Sequence, residues 1–297
     1  MASSRPWPFD DDDRPSGSVR PLSQADLQAI LAHLGDDTDQ LLAGTEADRP
    51  VVALRVWASV GRPGGSAQAR WRQERAGEWA VWTRSLPWRV AAILGVGAAG
   101  GVLGGLVVPR LSLVLGALAA MAVGWMLRFQ PSPDTVAWRR GAAGERRTAR
   151  VLAALEGEGW AVLHDLAVPR SRANIDHLVI GPGGVFVVDS KQYHGRLQFD
   201  RSGRLWHGRY PLAPALQAVS FEADRAALVL TDPDVVVVPI LAVHGTQVPW
   251  GKVVADGVPV VAARRLPSML RQLPGVLGPE RVANLAAQAR VRFHAAA

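Results

Sequence analysis

Residues 174–191 read NIDHLVIGPGGVFVVDSK, two runs rich in Val, Ile and Leu joined by Gly181-Pro182-Gly183-Gly184. Proline at the second and glycine at the third position of a four-residue turn signal a tight reversal, so the stretch predicts an antiparallel hairpin. Pairing symmetric about Pro182-Gly183 sets Asp176 opposite Asp189, with side chains starting about 5 Å apart. The neighbouring positions are apolar on both faces: Leu178, Ile180, Val185 and Val187 on one, Val179, Phe186 and Val188 on the other. Strands apolar on both sides are covered on both sides, which predicts an α/β fold. Two opposed carboxylates repel and lose hydration there unless something binds them. A hard divalent cation is the simplest compensating species, and oxygen ligation suits Mg2+ or Mn2+. Lys191, two residues past Asp189, falls on the same strand face. An ammonium beside a two-carboxylate metal site can hold the attacking water or steady charge developing on a phosphate.

Composition narrows the chemistry further. The chain has 297 residues, 33 basic against 26 acidic, and a net charge of +7. Its length suggests two domains. With 48% hydrophobic and 20% charged residues, it is too apolar for a disordered chain. The absence of cysteine excludes disulfide scaffolds, thiolate zinc sites, iron–sulfur clusters and cysteine nucleophiles. Only Lys191 and Lys252 are lysines; the other 31 cations are arginine. A lysine retained in so arginine-rich a chain is a candidate for chemistry that a planar, always charged guanidinium cannot do.

Working outward from the hairpin, the sequence alternates helix and strand patterns. Residues 141–159 predict a helix with Ala149, Leu152 and Leu155 on its apolar side. Strands are predicted at 160–168, 174–180 and 185–190, with a small hairpin from 197 to 210 turned at Asp200-Arg201-Ser202-Gly203. A helix at 214–230 and a β-branched strand at 235–243 follow, then a strand pair within 252–262 and helices at 267–273 and 279–292. The core order is α-β-β-β-α-β.

Asp176, a hairpin and then Asp189-Ser190-Lys191 resemble the Asp…(Asp/Glu)-x-Lys signature of the PD-(D/E)xK nuclease superfamily. More narrowly, GERRTARVL, then NIDHLVIGPGGVFVVDSKQYHGRL, then PALQ is similar to the nuclease-related domain called NERD. The resemblance covers about residues 141–245 and implies a restriction-endonuclease-like core. It implies that Asp176 and Asp189 bind the metal with the backbone carbonyl of Ser190, and that Lys191 positions the nucleophilic water. It also implies that Glu145 approaches the site from the first helix and that Gln217 supports it from the second. Asp189 stands where the family more often has Glu, and Ala213 where Asn is usual before the proline. His177 points to the face opposite Asp176 and reads as structural; His164 with Asp165 reads as surface polarity at a strand end.

Before this domain lies a long apolar stretch. Residues 90–108 and 111–127 carry no charged side chain and are broken by Pro109-Arg110. Each run nearly spans a hydrocarbon core of about 30 Å at about 1.5 Å per residue, which predicts a transmembrane helical hairpin. Arginines 70, 72, 75, 84 and 89 precede it and 128, 139, 140, 146 and 147 follow, whereas the turn has only Arg110. That distribution places both termini in the cytoplasm of a multi-pass plasma-membrane protein. Gly97, Gly101 and Gly105, and Gly100 with Gly104, recur every four residues, a spacing that lets helices approach closely.

The expected organisation is a disordered tail and short helix at 1–48, a membrane-proximal region at 49–87, the hairpin at 88–128, the NERD domain at 137–250 and an extension at 251–297. Residues 67–86 are expected as an amphipathic helix on the inner leaflet. The expected function is membrane-anchored, metal-dependent hydrolysis of nucleic-acid phosphodiesters, with DNA as the substrate and Mg2+ or Mn2+ as cofactor. Arginines 139, 140, 146, 147, 150, 170, 172, 196, 201, 204 and 209 supply phosphate contacts. The alternative is a non-catalytic membrane protein that binds nucleic acid or scaffolds through a nuclease-like fold.

Overall fold

The computed structural model describes residues 61–296 except Arg170, Arg172, Thr231 and Pro233. The expected tail, the helix beginning at Ser23 and the strand at 51–60 lie outside the described residues. The chain divides into two units, one made of residues 140–297 with the segment up to Ala67, the other of residues 68–139.

In the first unit the alternating patterns become a mixed α/β architecture. Helix α4 (Pro133–Glu156) leads into β1 (Ala161–Ala167), β2 (Asn174–Gly181) and β3 (Gly184–Phe199). Short strands β4 (Leu205–His207) and β5 (Tyr210–Pro211) precede α5 (Ala213–Leu230) and β6 (Val237–Gln247). Then come β7 (Lys252–Ala255), β8 (Val258–Ala262), α6 (Leu266–Arg271), α7 (Pro279–Arg292) and β9 (His294–Ala295). Among the described residues the main sheet runs β7-β8-β6-β3-β2-β1-β9. Strand β6 is parallel to β3 and to β8, and the other neighbours are antiparallel. The α-β-β-β-α-β order therefore holds. Residues after 250 supply the expected strand pair and helices, which belong to the same sheet and core.

Both faces are covered, as the doubly apolar hairpin requires. Leu178, Ile180, Val185 and Val187 pack with Leu216, Val219 and Ala223 of α5 and Leu285 of α7. Val179, Phe186 and Val188 pack with Leu152 and Leu155 of α4 and Leu266 of α6. The hairpin register is the symmetric one: Ile180 opposes Val185, Leu178 opposes Val187 and His177 opposes Val188. Asp176 and Asp189 are next in line. The Pro182 carbonyl accepts hydrogen bonds from the Val276 and Leu277 N–H groups, tying the turn to the segment after α6. Strand β3 runs nine residues past the expected end at Ser190. Its polar stretch Gln192–Gly195 carries a bulge, with Gly195 at φ 97°, and pairing resumes with Thr246 and Gln247 of β6.

The second unit contains most of α1 (Gly65–Arg84), α2 (Leu86–Val107) and α3 (Ser112–Met126). The apolar helices turn at a short 3-10 segment, Pro109–Leu111. Two segments, Leu86–Val107 and Pro109–Met126, are long and apolar enough to cross a membrane, and almost none of their residues is fully buried. A soluble core helix would bury its apolar surface, so the two helices suggest membrane association. They touch through small residues: a Cβ on Gly116 would come within 2.7 Å of the Gly97 carbonyl oxygen, and one on Gly100 within 2.8 Å of the Ala119 Cβ. Trp79, Trp82 and Phe129 cluster near their ends, with centroids 5.0–6.1 Å apart. The Trp82 Nε1 and Arg89 Nη1 donate to the Leu127 carbonyl at 3.1 and 2.6 Å, closing the end of α3. Helix α1 differs from the expected amphipathic helix, because its apolar residues are not gathered on one side.

The hairpin turn offers a direct test of the packing. A Cβ on Gly181 would sit 2.1 Å from the Trp160 ring, itself 5% exposed and packed on Phe186. The Gly181→Ala variant is expected to lose about 1–3 kcal/mol in denaturant unfolding, since the indole must shift. Gly157→Ala, where a Cβ meets nothing within 4 Å, is expected to be neutral or slightly stabilising.

Candidate active site

The hairpin register brings the first three predicted residues together. The Ser190 N–H donates to Asp176 Oδ2 at 2.8 Å, so the β3 backbone fixes the β2 carboxylate. Lys191 Nζ lies 2.7 Å from Oδ1 and 2.6 Å from Oδ2 of Asp189, straddling both oxygens. Asp189 is buried, Asp176 half-buried and Lys191 partly open to solvent. Burial alone would lower the Lys191 ammonium, but Asp189 and Asp176 outweigh it and hold the group above its ordinary value. Lys191 is therefore a fixed positive charge and not a proton acceptor at neutral pH.

Two helices add carboxylates. Glu145 of α4 is 7% exposed. Its pKa rises to about 7 through burial, then through repulsion from Asp165 and Asp189. Glu222 of α5 is pushed up to about 9 by burial and by Asp189. Asp176 is raised well above the usual carboxyl range by burial, Glu145 and Asp189. Four carboxyl groups thus share one ammonium. Their excess negative charge is relieved either by protons or by a cation.

Gln217, expected to support the site, is exposed on α5. The α5 residue electrostatically linked to Asp189, Lys191 and Glu145 is Glu222. The sequence held a signal for it: Glu222 follows Val219 by three residues, which puts a carboxylate at the edge of the helix's apolar stripe.

The other side of β3 is neutral and closed. Ser190 Oγ donates to Thr148 Oγ1 at 2.7 Å, and His177 Nε2 lies 3.1 Å from Ser190 Oγ. His164 and His177 share a 2.7 Å contact between their Nδ1 atoms, and Thr148 Oγ1 lies 2.8 Å from His244 Nε2. With the serine proton directed at Thr148, His177 must donate from Nε2 and accept at Nδ1 from His164. Burial holds His164 near 4 and His177 well below the usual imidazole value, so both rings are neutral. His177 is fully buried, with both ring nitrogens engaged by His164 and Ser190. His164 and Asp165 are both buried, and His164 bonds His177.

The donor set suits a hard cation in chemistry. Glu145 Oε2, Asp189 Oδ2 and Glu222 Oε2 are buried and accept no hydrogen bond, though Lys191 stands close to the Asp189 atom. Among the described residues, no group of three or more His, Asp or Glu side chains converges closely enough to hold an ion.

The raised Glu222 pKa gives a pH dependence with a definite sign. In the unfolded chain this carboxyl titrates near 4.5 and in the folded chain near 9. Between those values the folded state holds an extra proton, so stability falls as pH rises through the interval. From pH 7 to 9 in EDTA, the wild type is expected to lose stability by at most about 1.4 kcal/mol per pH unit through this group. Glu222→Gln should flatten that part of a denaturant-midpoint profile.

The site falls within a segment shared with other proteins. An uncharacterized protein of Bacillus anthracis is 36% identical over 70 residues, covering 23% of this chain and 33% of that protein. No solved structure matches the chain. Residues 140–243, which carry α4 beyond its first turns, the hairpin, α5 and most of β6, match the family model described as NERD, nuclease-related domain.

Proposed function

We propose that the chain is a membrane-anchored, divalent-metal-dependent nuclease that hydrolyses phosphodiester bonds, with DNA as its substrate. The supporting observation is the cluster of Asp176, Asp189, Glu145 and Glu222 around Lys191 in the segment that matches the nuclease-related family. Asp176, Asp189, the Ser190 carbonyl and Glu145 would be the ligands of Mg2+ or Mn2+ only once drawn closer together around the ion, with Glu222 as a further oxygen donor. The bound cation would supply polarisation of the phosphate and of a water.

The chain's own groups have separate roles in this reading. The Ser190 N–H orients Asp176, and Asp189 holds Lys191. Lys191 remains protonated and supplies fixed positive charge beside the phosphate as its negative charge grows. Attack of water on phosphorus with departure of the 3′-oxygen leaves a 5′-phosphate and a 3′-hydroxyl. Exposed Arg146, Arg147 and Arg150 on α4, and Arg196, Arg201, Arg204 and Arg209 on β3 and the loops after it, supply phosphate contacts. In this reading the two apolar helices anchor the chain, and their arginine-rich outer flanks favour both termini on the cytoplasmic side.

The test uses the full chain in detergent micelles, incubated with supercoiled DNA and with RNA in Mg2+, Mn2+ or EDTA. Metal-dependent cleavage is expected, reduced more than about 100-fold in Asp176→Ala, Asp189→Ala and Lys191→Ala. Cleavage that persists in those variants or in EDTA would refute the assignment. Binding of nucleic acid without cleavage under every metal condition would favour the scaffolding alternative.

A further inference from the structure

Strand β3 carries Asp189 and Lys191, bulges at Gln192–Gly195 and then pairs with β4, which in turn pairs with β5. The small sheet so formed has two unlike faces. Residues directly opposed across a ladder share a face, so Leu197 lies with His207 and Phe199 with Leu205, whereas Gln198 lies with Trp206. Leu197 and Leu205 are buried in the core, and Phe199 packs against it, so the first face is covered. Arg196 and Arg204 stand two residues from Gln198 and Trp206 and belong to the second face. There Arg196, Gln198 and Arg204 are exposed and Trp206 is partly exposed.

Trp206 is held rigidly on this open face. Its Nε1–H donates to Asp200 Oδ2 at 2.8 Å. The other oxygen of that carboxylate accepts from the Ser202 N–H at 2.8 Å, Ser202 Oγ at 2.7 Å and the Arg204 N–H at 3.0 Å. The turn thus pins the indole by its edge, and a bond made through the edge leaves the π-face unused. On the covered side the His207 ring stacks on Tyr193 with centroids 4.5 Å apart, and His207 Nε2 donates to the His194 carbonyl, tying β4 to β3 beside the bulge.

The surrounding charge is one-sided. From Lys191 to Pro211 the chain carries five cations and one acid, Asp200, whose oxygens are engaged in the turn. Arginines attract phosphate in any strand form. An aromatic face adds attraction for a base whose own face is open, and in an intact duplex the base faces are already stacked on one another.

We propose that the open face of the β3–β4–β5 sheet is a platform for an unpaired nucleic-acid strand. Trp206 stacks on a base, and Arg196 and Arg204 contact the phosphates beside it. The strand is led along β3 to Lys191, five residues from Arg196 and roughly 17 Å away at about 3.3 Å per residue. The substrate class is therefore single strands, frayed ends and gaps in preference to intact duplex. This rests on the nucleic-acid reading above and is independent of metal ligation and cleavage.

The test uses the full chain in detergent micelles and EDTA. The probes are a fluorescein-labelled oligodeoxythymidylate of about 16 nucleotides, enough to fill a single-strand site, and its duplex with oligodeoxyadenylate. Fluorescence anisotropy is expected to show the wild type binding the single strand about tenfold more tightly than the duplex. Trp206→Ala should weaken single-strand binding about tenfold and leave duplex binding unchanged. Trp206→Phe retains a stacking face and should keep most of the affinity. The platform alone is overturned, with the nucleic-acid reading intact, by a wild type that binds duplex as tightly as single strand. Unchanged single-strand affinity in Trp206→Ala, equal losses for both forms, or a Trp206→Phe as weak as Trp206→Ala also overturns it.

Where Trp206→Ala fails to fold, ultraviolet cross-linking of the wild type to a bromodeoxyuridine-substituted single strand decides. A cross-link mapped to Trp206 by mass spectrometry sustains the platform; cross-links confined to other residues overturn it. A wild type that binds neither form of DNA overturns the nucleic-acid reading and the platform with it.

Discussion

The register between β2 and β3 is the constraint on which the rest depends. Side chains alternate with period two, so a slip by one residue would exchange every face of the hairpin. Leu178 and Val187 would then meet α4 instead of α5, and Asp176 would no longer stand in line with Asp189. Three features prevent the slip. The Gly181-Pro182-Gly183-Gly184 turn sets the pairing, the Pro182 carbonyl is bound by the segment after α6, and the apolar residues on both faces are buried. Placing the two aspartates in one row is thus a by-product of packing a hydrophobic core correctly.

That row is electrostatically unfavourable in isolation. Lys191 offsets part of the repulsion by straddling Asp189, but one ammonium cannot neutralise Asp176, Glu145 and Glu222 as well. The upward shifts of those three carboxyls express the remainder. A core designed only for stability would place apolar side chains here, since an isostere of a buried charge is often as stable. The shifts cluster at one end of one hairpin, where two helices and two strands meet, which is the pattern expected of a site used for chemistry.

Much of this was legible in the residues. The hairpin, its register, the helix–strand order and the two apolar helices follow from turn chemistry, alternation and the lack of charge over 90–108 and 111–127. What was not legible depends on contacts distant in sequence. The polar run from Gln192 reads as a loop, but β6 and β4 pair with it and extend β3. Glu222 lies only at the edge of an apolar stripe in the sequence, and its relation to Asp189 exists only once α5 packs on the sheet. Gln217 was assigned from a motif, and the phase of α5 leaves it in solvent. The hydrogen bonds from Ser66 to the Asp165 carboxylate had no local signal, since the partners lie 99 residues apart.

The hydrogen-bonded row behind β3 also limits which ions could be accommodated. Each proton from His164 through His177 and Ser190 to Thr148 has a direction, and both nitrogens of His177 are engaged. The imidazole nearest the aspartates therefore has no lone pair left for coordination. Apart from the protonated Lys191, the carboxylate side offers oxygen donors, in a chain with no cysteine. Borderline ions such as zinc and copper gain most from nitrogen and thiolate donors, so under the proposed metal-dependent reading this tautomer lock would favour hard ions through ligand type and not through cavity size.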